Sequence, residues 1–343
     1  MTSFDLCSRH RWAALAIAFA VDSTLGANAG STTLPGACGV PRPEPRTGHQ
    51  LAYDSARQRI LMFGGQSGDA AIGYPSTLWA WDGARWTCLS ADGPPGRVDA
   101  TLVDDPGRGV VVLYGGRRRA GQQNEVLSDT WEWNGTRWDL RDTIGLGRRE
   151  HMVAAFDTRT QSVVVHGGGA GNASLDDTWR WSGTRWTQME TRVTRALIAN
   201  SLVARPSGAL LIAAEAPDSL GAFRAALYEV RNALWAIVDS TGPRFSPQAS
   251  STLAGGGNVL MFAGWEPDGR ANTITWTERE GWRVRNDPHV RRRGAPVAYD
   301  ARRNRVVMYG GDDGERVLAD TWEWDGRAWT SVTQRALVPP IGR

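Results

Sequence analysis

Glu150 and His151 are adjacent in the chain, and Asp99 follows Arg97 at the offset at which His151 follows Arg149. Two carboxylates and an imidazole gathered in one place could exchange protons with a substrate as general acid and base. The arginines beside them recur. Arg46, Arg97, Arg149 and Arg292 each precede an aspartate, Asp54, Asp105, Asp157 and Asp300, by eight residues, and Arg195 and Arg244 occupy looser equivalents. Six guanidinium forks at matching positions could bind a carboxylate or phosphate in bidentate fashion. One Arg per unit, whatever follows it, also fits a structural part in which each pairs with carboxylate or carbonyl groups of a neighbouring unit. The same bland reading makes Asp99, Glu150 and His151 solvated loop residues.

Other chemistry finds little footing. No His-Glu-x-x-His and no Gly-x-Ser-x-Gly occurs, and the five histidines show no metal-ligand spacing, so neither metal nor cofactor is expected. Gly167-Gly-Gly-Ala-Gly171 follows a strand, but a loop and another strand come next, so it reads as a turn and not a dinucleotide loop. The 343 residues carry a formal charge of only +3, with every basic side chain an Arg spread along the chain, which argues against a nucleic-acid partner. Arg117-Arg118-Arg119 and Arg291-Arg292-Arg293 are the clusters that could attract an acidic partner.

The elements that must position these residues are strongly patterned. Thr321-Trp322-Glu323-Trp324 alternates as a half-buried strand does, Asp325-Gly326 is expected to supply both positive-φ positions of a type I′ turn, and the chain returns through Trp329. Copies of this hairpin begin at Thr77, Asp129 and Asp177. Each is preceded by an apolar run closed by a glycine pair, at Gly64, Gly115, Gly167 and Gly310. The first three pairs recur about every 50 residues, and the last gap leaves room for two decayed copies, at Leu210–Ala214 and Val259–Gly264.

With its glycine pairs, Asp-x-Trp-x-Trp strands and closing Trp, the chain from 46 to 333 resembles the kelch repeat family. The resemblance implies an all-β, six-bladed kelch-type β-propeller with four antiparallel strands per blade. In it the inter-blade crossings and the second-to-third strand loops, 66–76, 117–128, 169–176, 215–226, 265–272 and 312–319, share one face, with the Arg set around the mouth of the central channel. That face is the expected binding surface, because loops on a rigid scaffold carry function more often than the scaffold does. The Tyr, His and cross-linked Cys set of kelch-containing copper oxidases cannot be assembled here.

Residues 1–29 read as a secretory signal, with Arg9 and Arg11 ahead of an apolar stretch and Ala27-Asn-Ala29 as a cleavage site. A Pro/Gly-rich segment, 30–45, leads into the propeller at 46–333, and 334–343 forms a tail. In an exported chain Cys38 and Cys88 read as a disulfide stapling this segment to the first blade, with two free thiols as the alternative. The function expected is an exported (periplasmic or extracellular) binding module, monomeric and without a membrane span, taking a protein or glycan partner and catalysing nothing. The alternative is a carbohydrate-active enzyme similar to the sialic acid mutarotases, Arg149 holding a sugar carboxylate while Glu150 or His151 moves protons. A purely structural envelope protein is the third class.

Overall fold

The computed structural model describes residues 38–332 apart from 172, 194–197, 206–207, 215–222, 232–233, 246–249, 255–257, 266–270 and 288–289. The expected signal, the tail and the first half of the segment before Arg46, 30–37, therefore lie outside the described residues. What is described is all-β. The first sheet pairs Gln50–Asp54, Arg59–Phe63, Leu78–Trp81 and Trp86–Ser90, antiparallel and in that order. The second pairs Thr101–Asp105, Val110–Tyr114, Thr130–Trp133 and Trp138–Asp142, and the third Val153–Asp157, Ser162–His166, Thr178–Trp181 and Trp186–Met189. The last repeats the plan with Val297–Asp300, Arg305–Tyr309, Thr321–Trp324 and Trp329–Val332. The opening strands of successive sheets pack side by side in chain order and the last returns to the first, a β-propeller arrangement.

The two sheets between the third and the last depart from this plan. One pairs Ile198–Arg205, Gly208–Ala214, Phe223–Arg231 and Leu234–Asp239, with Arg192–Val193 added parallel to its outer strand. The other pairs Ser250–Ala254, Asn258–Trp265, Ala271–Thr277 and Gly281–Asn286. Where the other sheets halt at a glycine pair, these continue through Ala213–Ala214 and, with a bulge, through Gly264–Trp265. The loops expected at 215–226 and 265–272 are shortened accordingly, since Phe223 and Ala271 already belong to strands.

The hairpin turns correct the expected geometry. Trp324 pairs with Trp329, as Trp133 does with Trp138, which leaves four residues in the loop and not two. Only the glycine is left-handed, Gly326 at φ 98° and Gly135 at 103°. The preceding Asp or Asn stays in an ordinary conformation because its side chain closes the turn: Asp325 accepts from the amides of Arg327 and Ala328, and Asn134 from those of Thr136 and Arg137. A Cβ at Gly135 would also collide with Arg57, whose guanidinium donates to the Asn134 carbonyl from the sheet before.

Tryptophans join one sheet to the next. Trp181 Nε1 donates to Glu132 at 2.8 Å and Trp186 Nε1 to Thr130 at 2.9 Å, both on the preceding sheet. The same two bonds tie the first sheet to the last, Trp81 to Glu323 and Trp86 to Thr321, each at 2.9 Å. Between first and second sheets they are missing. There Ala80 and Leu78 stand where Glu and Thr would accept, and the buried indole nitrogens of Trp133 and Trp138 have no partner.

At the far end of the opening strands, Asp104 accepts from the Ser55 amide at 3.3 Å, and burial pushes its pKa up to about 6. The folded protein therefore holds this proton between pH 4 and 6 when the unfolded chain has released it, so stability falls as pH rises through that window. Asp104→Asn keeps the acceptor and removes the charge. It is expected to add about 1–2 kcal/mol to the unfolding free energy at pH 7.5 and nothing at pH 4. Urea titrations at both pH values would check this, and equal gains at the two would contradict it.

Candidate functional site

The recurring arginines turn inward. Arg46, Arg97, Arg149 and Arg292 are 0 to 4% exposed, and each donates to the carbonyl of the first glycine of its own sheet's pair, 18 residues on: Gly64, Gly115, Gly167 and Gly310. Three of them also fork onto the aspartate that heads the Asp-Thr-Trp strand. Arg97 meets Asp129 at 2.6 and 2.8 Å, and Arg149 and Arg292 meet Asp177 and Asp320 in the same way. The indoles of Trp131, Trp179 and Trp322 donate to the same carboxylates. In the first sheet Thr77 replaces that aspartate, and Glu44 supplies the carboxylate to Arg46 at 2.8 Å.

These four guanidiniums, expected to ring a ligand, thus spend their terminal nitrogens on groups of their own sheets and not of a neighbouring one, while the buried Nε atoms of Arg46, Arg149 and Arg292 have no partner. The backbone makes the neighbour contact: the carbonyl of Arg97 accepts from Gly65, that of Arg149 from Gly116 and that of Arg46 from Gly311. Each crossing lies so close on the previous glycine pair that a Cβ at Gly64 would stand 2.3 Å from the Arg97 oxygen. Of the remaining two, Arg195 lies outside the described residues, and of Arg244 only the backbone is described, paired with Arg224.

What the expected face does present is a cluster around Arg117. Val98 bridges to Arg117 and Glu150 to Gly169, so the crossings into the second and third sheets are fastened to the loops behind them. The 117–128 loop is itself a ribbon, Arg117–Ala120 paired with Gln123–Val126. Arg117 reaches from it to Asp99 at 2.8 Å and Glu150 at 3.1 Å. His151 Nε2 lies 3.4 Å from Asp99, and the His151 amide donates to the Asp99 carbonyl. Burial works against the charge on Arg117, but Asp99 and Glu150 outweigh it and raise its pKa above the usual value. The three proton-exchanging candidates are therefore together, with an arginine between their carboxylates.

Backbone strain marks the same spot. Asp99 and His151 both have φ 57°, whereas the first and last crossings place Gly48 and Gly294 at this position. Among the described residues the other non-glycine ones at positive φ, Gln58, Gln161 and Asn304, share one ordinary turn position behind the opening strands. Asp and His tolerate the left-handed region better than most side chains, at a cost of about 1 kcal/mol against glycine. Asp99, Glu150 and His151 offer ligand atoms within 4.8 Å of one another, the spacing of a metal site. Arg117 already occupies the place between the two carboxylates, so a cation could enter only by displacing it.

Comparison with known proteins bears on the fold. No protein-family model matches the chain, and no curated protein does. Solved structures do match. The structure of YjhT superposes with a TM-score of 0.58 at 13% identity, over 88% of this chain and 99% of that one. At that identity the likeness shows the propeller fold and nothing more. Among the described residues no helix is long and apolar enough to cross a membrane.

The part of Arg117 escaped the sequence, where it stood only as one member of an arginine run. The readable signal was the exchange of Gly48 and Gly294 for Asp99 and His151 at one repeat position.

Proposed function

We propose that the protein is an exported six-bladed kelch-type β-propeller, four strands to a blade, that acts as a binding module for a protein or glycan partner. The partner is met on the face of the inter-blade crossings and second-to-third strand loops, centred on Asp99, Arg117, Glu150 and His151. One observation carries this reading. At a left-handed position where glycine serves the first and last crossings, two adjacent crossings hold ionisable side chains, Asp99 paired with Arg117 and His151 lying against Asp99. Strain kept at one place on a repeating scaffold points to use. Export draws support from the leader-like sequence and from Cys38 and Cys88, whose Cα atoms stand 6.0 Å apart, the separation of a disulfide suited to an oxidising compartment.

The test returns the scaffold residue. Asp99→Gly and His151→Gly are each expected to leave the fold as stable or up to about 1 kcal/mol more stable, since strain is relieved. Binding of ligands that the wild type selects from glycan arrays and envelope-protein extracts should weaken at least tenfold. Two variants that bind like the wild type would remove this centre from the reading. The mutarotase-type alternative has the proximity of His151 to two carboxylates in its favour. NMR measurement of anomer exchange in sialic acid and other reducing sugars separates it from simple binding.

A further inference from the structure

Arg117 and Arg118 are neighbours on one strand of the ribbon, so their side chains leave opposite faces. Arg117 serves the central cluster. Arg118 lines a separate cleft of about 240 Å³, together with Pro95, Val126, Leu127 and Arg148. Within it Arg118 Nε lies 2.7 Å from one oxygen of Glu125, and Arg148 lies 4.0 Å from the other. Glu125 is therefore a carboxylate held between two guanidiniums, on an exposed ribbon and itself 31% exposed.

The balance of charge around the cleft is positive. Asp129 also borders it, but both its oxygens are taken, by Arg97 and by the Trp131 indole. Arg148 is 65% exposed, and Arg119 stands exposed on the same ribbon with no ion pair among the described residues. The lining holds no aromatic ring on which a sugar could stack. Among the described residues the strand Gln123–Val126 pairs only with Arg117–Ala120, which leaves its other edge open to an extended chain.

We propose that this cleft binds an acidic peptide segment of a partner protein, whose Asp or Glu carboxylate takes the place between Arg118 and Arg148 that Glu125 holds in the free protein. Glu125 then acts as an internal competitor. The apolar lining residues Pro95 and Val126 accept the aliphatic neighbour of the incoming carboxylate, and the pairing exchanges one partly exposed ion pair for another. The proposal shares its face with the binding-module reading but rests on different residues.

The test uses the full chain and a fluorescein-labelled peptide alternating Glu with Leu, followed by anisotropy at low ionic strength. Glu125→Gln is expected to tighten binding about tenfold, Arg148→Ala to weaken it at least tenfold, and Arg137→Ala, 76% exposed on a hairpin turn, to leave it unchanged. The Gln-for-Glu peptide should not bind. The idea is overturned if neither wild type nor Glu125→Gln binds, if Arg148→Ala binds normally, if Glu125→Gln fails to gain, or if an oligouronate displaces the peptide better than unlabelled peptide does. Loss of binding in Arg117→Ala alone would instead assign the peptide to the central cluster.

Discussion

Arg97→Ala is expected to cost about 3–5 kcal/mol of unfolding free energy, the loss typical when one partner of a buried ion pair is removed. Arg97 is 1% exposed, and its guanidinium joins three separate pieces of its sheet: both oxygens of Asp129, the Gly115 carbonyl and the Pro95 carbonyl. Truncation leaves a largely buried carboxylate without its counter-charge and strands two carbonyl oxygens. Burial works against the charge on Asp129, yet Arg97 and then the Trp131 indole hold its pKa below the usual carboxylate value, so the pair is ionised at neutral pH. Glu44→Gln, at the first sheet, is expected to cost only about 1 kcal/mol, because Glu44 is 16% exposed and Arg46 keeps its bond to Gly64. Urea unfolding of both variants decides the matter. If Arg97→Ala costs no more than Glu44→Gln, the fork is not what pins the crossing to its sheet.

Acid is expected to loosen the protein through His49. This imidazole is 1% exposed, neither ring nitrogen has a partner, and it stands where the other described crossings place Ala100, Met152 and Ala295. It meets Tyr309 edge-on at 5.7 Å, between the first and last sheets. Burial first, then the Arg46 charge, hold its pKa well below the ordinary value of 6.5. Glu44 is engaged as the Arg46 cation's own partner, and Tyr309, its hydroxyl engaged by the Pro43 carbonyl, brings no charge. The unfolded chain therefore takes up a proton below about pH 6.5 that the folded one refuses, and stability falls as pH drops, by up to about 1.4 kcal/mol per pH unit. His49→Met should flatten the fall of Tm between pH 6.5 and 4.5. Buried His166, whose pKa burial lowers to about 4, adds the same dependence, and His49→Met/His166→Phe should flatten it further. Superimposable Tm curves for wild type and both variants would exclude histidine as the cause.

Much of this architecture could be read from residues alone, because the hairpin and the glycine pair are local patterns whose periods survive in the chain. The inward turn of the arginines could not. The partner of Arg97 is Asp129, 32 residues on, and at sequence level that aspartate belongs to the hairpin. The exception at Thr77 hid the rule further, since its substitute, Glu44, precedes the repeat. Asp82, Asn134 and Asp325 read as turn formers by backbone conformation, whereas they work through their side-chain oxygens. The central cluster joins residues from two crossings and a ribbon, and only the packing of one sheet on the next brings them within reach.

The two unmatched indoles, Trp133 and Trp138, leave one joint held differently from its neighbours. Where second and third sheets, or last and first, meet, separation must break two indole bonds, each worth about 1 kcal/mol, and expose the carboxylate and hydroxyl that accepted them. Parting the first sheet from the second breaks neither and lets water reach both stranded nitrogens. At that joint the hold falls instead to Arg57, whose guanidinium reaches across to the carbonyls of Gly109 and Asn134, so one flexible cation does there what two rigid rings do elsewhere.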